Sequence, residues 1–213
     1  MKIEWINHAS YVFQYKNSRI IADPWLFGSA FNDGWDLLVD TKFKVEDFKD
    51  ITHIWFSHEH PDHFAPQVLG KIDEEIRKKI TILFQETIDK RVVNFCKKLS
   101  FKVEELPHRS KFVIEDDFSI TCGKMVGIDS WLLYETSDFK LLNINDCVIS
   151  NRKLCESVKK TTGEVDVLMS QFSYANWKGN PDDVTIREKS AREKLNRIKI
   201  QADVFKPKHT IPF

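Results

Sequence analysis

Four strong metal-binding side chains fall within six residues of one another: His58, His60, Asp62 and His63, in the run S-H-E-H-P-D-H-F. His58 and His60 are two apart, so on an extended backbone they point to the same side. Pro61 then forces a turn, which aims Asp62 and His63 at a neighbouring point. Imidazole and carboxylate together suit zinc, iron or manganese better than magnesium or calcium, which prefer all-oxygen sites. A lone histidine is usually structural or solvated. Burying so dense a set of ligands without a metal is costly, which points to a metal centre.

The elements that must position this cluster follow from hydrophobic periodicity. Ile51 to Ser57 is an apolar, β-branched and aromatic run that predicts a buried strand, with the histidines at its C-terminal end. Upstream, Lys2 to Gln14 alternates as strand with a break near Asn7–His8, and Arg19 to Ala22 is a short strand ending at Asp23-Pro24. The aromatic, glycine-containing run W-L-F-G-S-A-F-N-D-G-W predicts a loop. Downstream, Val68, Leu69, Ile72 and Ile76 recur at helical spacing, and Ile80 to Phe84 is strand. Thr87 can cap a helix whose buried face would be Ile88, Val92, Phe95 and Leu99. From Phe101 to Ile144 the pattern is β. Asn151 opens a helix, Val165 to Phe172 is strand, and Asp183 to Gln201 is a long charged helix with Ile186, Leu195 and Ile198 inward. Helices must cover sheet faces, so a layered α/β fold over a single domain, 1–213, is expected.

Composition excludes several classes. Acidic and basic side chains are equal in number, which argues against nucleic acid or an anionic membrane as partner and for a small-molecule substrate. No apolar run approaches a membrane span, and the N-terminus lacks an apolar leader, so a cytoplasmic location is expected. Cys96, Cys122, Cys147 and Cys155 form no C-x-x-C pair; free, mostly buried thiols are expected. Oligomeric state is not readable.

H-x-H-x-D-H after a buried strand, preceded by I-I-A-D-P-W, resembles the metallo-β-lactamase-fold superfamily. That resemblance implies a four-layer αββα sandwich with a metal site along the edge between its sheets. The flanking runs N-H-A-S, D-P-W-L-F-G-S-A-F-N-D-G-W, D-S-W-L-L, N-I-N-D-C and Q-F-S-Y-A-N-W resemble the metallo-β-lactamase-like part of CMP-N-acetylneuraminate hydroxylase and related bacterial proteins. By that likeness His58 and His60 hold one metal, and Asp62 and His63 a second. Asp146 is the bridging acid, His209 the last histidine, and Asp23 an acid beneath the histidine loop that orients an imidazole. The superfamily's usual third histidine of the first site is missing from C-G-K-M-V-G-I-D-S, so that site is expected to be weak, open or empty. His108 reads as an exposed turn histidine, with a ligand role as the alternative. His8, Trp25, Phe27, Phe31, Trp35, Gln171, Ser173 and Trp177 are candidates to line a substrate cleft. The chain ends at T-I-P-F, where relatives continue, which suggests truncation or a short C-terminal layer.

Three functions follow. The first is hydrolysis of an ester, amide or phosphoester, of an amino-sugar or sugar-nucleotide derivative by resemblance. One or two zinc ions would activate water, and Asp62 or Asp146 would take its proton. The second is iron-dependent hydroxylation with a separate reductase, since the four scattered cysteines cannot hold a Rieske cluster. The third is ligand binding by a degenerate, non-catalytic member.

Overall fold

The computed structural model describes residues 1–174 and 177–213. Ala175 and Asn176, within Q-F-S-Y-A-N-W, lie outside the described residues. The first sheet begins with an antiparallel meander of β1 (Lys2–Asn7), β2 (Ser10–Tyr15) and β3 (Ser18–Ala22). It continues in parallel through β4 (His53–Phe56), β5 (Thr81–Gln85) and β6 (Lys102–Leu106). Helices α1 (Pro66–Lys71), α2 (Glu74–Arg77) and α3 (Arg91–Lys98) make the crossovers.

The second sheet repeats the layout. Strands β7 (Lys111–Glu115), β8 (Phe118–Lys124), β9 (Ser130–Glu135) and β10 (Lys140–Asn143) are antiparallel neighbours. β11 (Val167–Ser170) and β12 (His209–Pro212) then add in parallel, by way of α4 (Arg152–Thr162) and α5 (Val184–Phe205). The orders are β1-β2-β3-β4-β5-β6 and β12-β11-β10-β9-β8-β7.

Alternation along the strands sorts side chains into three cores. Tyr11, Phe13, Ile20, Ala22 and Trp55 face inward against Phe118, Ile120, Leu132 and Tyr134 of the other sheet. Their neighbours Val12, Ile21, Ile54 and Phe56 face outward onto Val68, Leu69, Val92 and Val93 of the first helical layer. Trp131, Leu133 and Leu142 face Cys155, Val158, Val204 and Phe205 of the second. The result is the four-layer αββα sandwich.

Some local expectations fail for physical reasons. The single helix expected over Val68–Ile76 is broken into α1 and α2, where Asp73 caps the second by accepting from the Glu75 amide. α3 starts at Arg91, not at a Thr87 cap, and Ile88 is fully exposed. Ile186 and Leu195 of α5 are half exposed, because only the C-terminal turns of that helix dock on the sheet through Gln201, Val204 and Phe205. Asn151 caps α4 as expected, accepting from the Leu154 amide. All four cysteines are free and buried, as expected. No helix among the described residues is long and apolar enough to cross a membrane.

One close approach has a measurable consequence. Gly123 on β8 pairs with Trp131 on β9, and a Cβ at Gly123 would fall inside the indole ring. Gly123→Ala is therefore expected to destabilise the protein by at least about 1–3 kcal/mol, as overpacking does. A urea midpoint equal to the parent's would refute this packing.

Candidate metal centre

Five segments converge where the parallel strands end: the β1–β2 turn (His8), the residue after β3 (Asp23), the loop after β4 (Ser57 to His63), the β8–β9 turn (Asp129) and the residues after β10 (Asn145, Asp146). Ligand sites in α/β sheets favour such carboxyl ends. Three of these residues sit in the left-handed region, His8 at φ 40°, Asp23 at φ 42° and Asn145 at φ 51°. That conformation is disfavoured for residues with a Cβ and recurs where a side chain must be aimed.

Asp23 is the hub. It is 1% exposed. Its Oδ1 accepts from the Ser57 amide at 2.8 Å. Its Oδ2 accepts from Ser57 Oγ at 2.7 Å, Asn145 Nδ2 at 2.6 Å and His63 Nδ1 at 3.0 Å. With its one proton given to Asp23, Ser57 Oγ must accept from His58 Nδ1, 2.9 Å away. Asp23 thus sets both imidazoles, one directly and one through Ser57, so that each turns Nε2 into the site.

What those nitrogens face is a set of ligands. His58 Nε2 lies 2.9 Å from His60 Nδ1 and 3.8 Å from Asp129 Oδ1. His63 Nε2 lies 3.4 Å from Asp62 Oδ2 and 3.5 Å from Asp146 Oδ2. His8 Nε2 donates to Asp62 Oδ2 at 3.1 Å. Two groups have ligand atoms mutually within 4.8 Å: His8, Asp62 and His63; and His58, His63 and Asp146. His63 Nε2, with carboxylates only at 3.4 and 3.5 Å, and Asp62 Oδ1 are buried without a well-formed hydrogen bond. Orphaned buried polar atoms are costly, and a cation bound there would satisfy both.

Electrostatics agree. Burial, and then the carboxylate of Asp146, push the Asp129 carboxyl above its ordinary value. Burial is the larger of the two causes, and the imidazoles of His60 and His63 oppose them. Burial acts against ionisation of Asp62 too, yet hydrogen bonds from His63 and His8 hold its carboxyl well below the usual range. Burial and the neighbouring His63 push the His58 imidazole down to about 4, leaving it neutral and able to ligate. Burial alone would lower His63, but Asp23, Asp146 and Asp62 outweigh it and raise the imidazole well above its ordinary value. The donor set fits a metal centre: His58, His63 and Asp146 form one group and His8, Asp62 and His63 another, with His60 and Asp129 beside His58.

Two parts of the expected site change. His209 does not join. It is exposed at the start of β12, in register with Val167 and bonded through its amide to Asp166. β12 runs parallel to β11, so its first residue lies at the end of the sheet away from the centre. His8 lines the cleft as expected and in addition donates to Asp62. Asp129, which sequence reasoning passed over although it opens the D-S-W-L-L run, stands 3.8 Å from His58 Nε2. His108 is exposed and accepts from the Lys124 amide, away from the cluster. Ser130 Oγ and Gln85 Nε2 both donate to the Ser57 carbonyl, at 2.6 and 3.3 Å, which clamps the histidine loop to the β8–β9 turn.

The cluster opens into a cavity of about 1060 Å³ lined by Trp5, His8, Phe31, Trp35, Gln171 and Ser173 among others. Trp25 is not in its wall. Trp25 is buried and packs edge-on to the His8 ring at 5.5 Å, supporting it from behind. Phe27 and Trp177 are outside the lining, and Trp177 is exposed.

Two outcomes follow. With His63 protonated in metal-free protein, an ion must displace its Nε2 proton, so metal affinity falls as pH is lowered. Calorimetry in buffers of differing ionisation enthalpy should show proton release on binding. Uptake without release would contradict the His63 assignment. Asp23→Asn should weaken metal binding about 10–100-fold, as loss of an orienting partner does, while His209→Ala leaves it unchanged.

A family model described as a β-lactamase superfamily domain matches residues 2–201. The cytidine monophosphate-N-acetylneuraminic acid hydroxylase of Xenopus laevis is 26% identical over 185 residues, 81% of this chain but 29% of that protein. This chain therefore spans less than a third of the length of that relative. Among solved structures, the diiron β-hydroxylase CmlA from Streptomyces venezuelae superposes with TM-score 0.63 at 16% identity, over 99% of this chain and 44% of its own. An isothiocyanate hydrolase from Delia radicum gut bacteria superposes with TM-score 0.60 at 17% identity, over 79% and 70%. The fold, the histidine motif and the family match agree: the chain belongs to the β-lactamase superfamily.

Proposed function

We propose that the chain is the metal-bearing part of an iron-dependent hydroxylase of a small molecule, supplied with electrons from outside this chain. The observation that carries this reading is Asp129 standing beside His58 and His60. Two histidines and one carboxylate with open positions is the donor set of non-haem iron oxygenases. Asp62, His63 and Asp146 lie alongside as a second set of one histidine and two carboxylates. The hydroxylases matched over most of this chain support the same reaction. Iron held by these residues supplies the one-electron chemistry that O₂ requires.

The net reaction is R–H + O₂ + two electrons + two protons → R–OH + H₂O. The four buried, unpaired cysteines offer no cluster among the described residues, so the electrons come from a separate iron–sulfur or flavin donor. The chain's own groups position and protonate. His8 Nε2–H rests on Asp62 Oδ2, and His8 also lines the cavity, so it links a buried carboxylate to the solvent side. Phe31 and Trp35 stack edge-to-face at 5.1 Å and wall that side against water. Phe31 also lies edge-on to His60 at 5.8 Å.

The hydrolytic reading uses the same residues, because two histidines and a carboxylate also hold catalytic zinc. In it Asp62 or Asp146 takes a proton from water during cleavage of an ester, amide or phosphoester. Metal identity separates the two. Protein purified without oxygen should carry iron, about two ions per chain as in two-metal sites, and should consume O₂ when reduced chemically. Stoichiometric zinc, with iron-loaded protein inert to O₂, would overturn the hydroxylase reading in favour of hydrolysis.

A further inference from the structure

α5 presents the wrong face for a helix lying on a protein. Ser190, Lys194, Arg197 and Gln201, spaced i, i+4, i+7 and i+11, form its inward stripe. An apolar stripe is the usual occupant of those positions. The apolar side chains Ile186 and Leu195 point outward, at 50% and 49% exposure. Gln201 is explained by packing: it accepts from Ser170 Oγ at 2.8 Å and donates to the Ile149 carbonyl at 3.0 Å. Lys194 and Arg197 have no such explanation. Both line the cavity that holds His60, Asp62, Asp129 and Asp146.

Neither cation has a carboxylate partner among the described residues. Lys194 Nζ donates to Gln171 Oε1 at 2.9 Å, and Arg197 Nη2 to the same oxygen and to the Gln171 carbonyl, both at 3.3 Å. One neutral side chain therefore holds two cations side by side. Arg197 Nε is buried with no partner. Lys178 lines the same wall. Burial, and then the adjacent Arg197 charge, push the Lys194 ammonium down to about 8. Half-buried like charges that share one neutral acceptor are unfavourable unless an anion joins them.

We propose that Lys194 and Arg197, held by Gln171, form an oxyanion subsite that binds a carboxylate or phosphate group of the substrate. The reacting part of the same molecule then extends across the cavity to the metal centre. Arg197 offers the planar fork that matches such groups, and Lys194 adds a point charge. The reacting end rests on the metal-centre reading above; the anion-binding end does not.

The test separates the two. Chelator-stripped, dialysed protein is titrated calorimetrically with pyrophosphate and, separately, with citrate, which distinguishes phosphate from carboxylate. At least one should bind, more weakly as salt rises. Binding should drop about tenfold or more, the loss of one charged hydrogen bond, in Lys194→Met and in Arg197→Met. It should be unchanged in Lys199→Met, an exposed position on the same helix. Arg197→Lys, which keeps charge without the fork, should recover part of the binding and guards against misfolding of the Met variants. Absence of binding to stripped parent protein, equal binding by the parent and both Met variants, or binding only when metal is restored would each overturn the subsite. Metal uptake by the variants should equal the parent's; failure of the stripped parent to take metal up again, with anion binding intact, would sink the metal reading alone.

Discussion

A single buried carboxylate organises this molecule's chemistry. Asp23 has no lysine or arginine in contact among the described residues, yet it is almost fully enclosed. An ionised carboxylate so placed is tolerable only because donors saturate it. The donors come from separate places: the amide and hydroxyl of Ser57 after β4, His63 of the histidine loop, and Asn145 of the second sheet. The interaction that makes Asp23 affordable thus also joins the sheets and aims two imidazoles.

The polar seam extends beyond Asp23. Asn145 donates its own amide to Asn143 Oδ1 and accepts from the Asp146 amide, which presents the Asp146 carboxylate to His63. Asn143 Nδ2 donates to Tyr11 Oη, which in turn donates to Tyr134 Oη. These groups cross the otherwise apolar space between the sheets. Networks of this kind are stabilising only when nearly every member is satisfied. Register between the two halves and geometry at the metal centre are therefore the same constraint.

The strands and their layering were legible because alternation and β-branched content mark buried strands wherever they fall. The H-x-H-x-D-H run was legible because its spacing is local. Legibility failed where position depends on topology. His209 was expected as a ligand by family resemblance alone, but parallel pairing of β12 puts its first residue at the far end of the sheet. Asp129 was hidden because a lone aspartate in a glycine-containing turn reads as a turn former. Only the pairing of Ser130 with Lys124 across β8 and β9 brings it beside His58. The inward face of α5 was misread because periodicity assumes that a helix buries its apolar stripe, and this helix lines a cavity between Ser190 and Arg197.

The left-handed backbones of His8, Asp23 and Asn145 bear on which substitutions the site tolerates. Glycine would relax each backbone, but at Asp23 and Asn145 it would remove the side chains that tie the two sheets together. Strain and cohesion are carried by the same residues, so the site cannot be relaxed without loosening the sandwich.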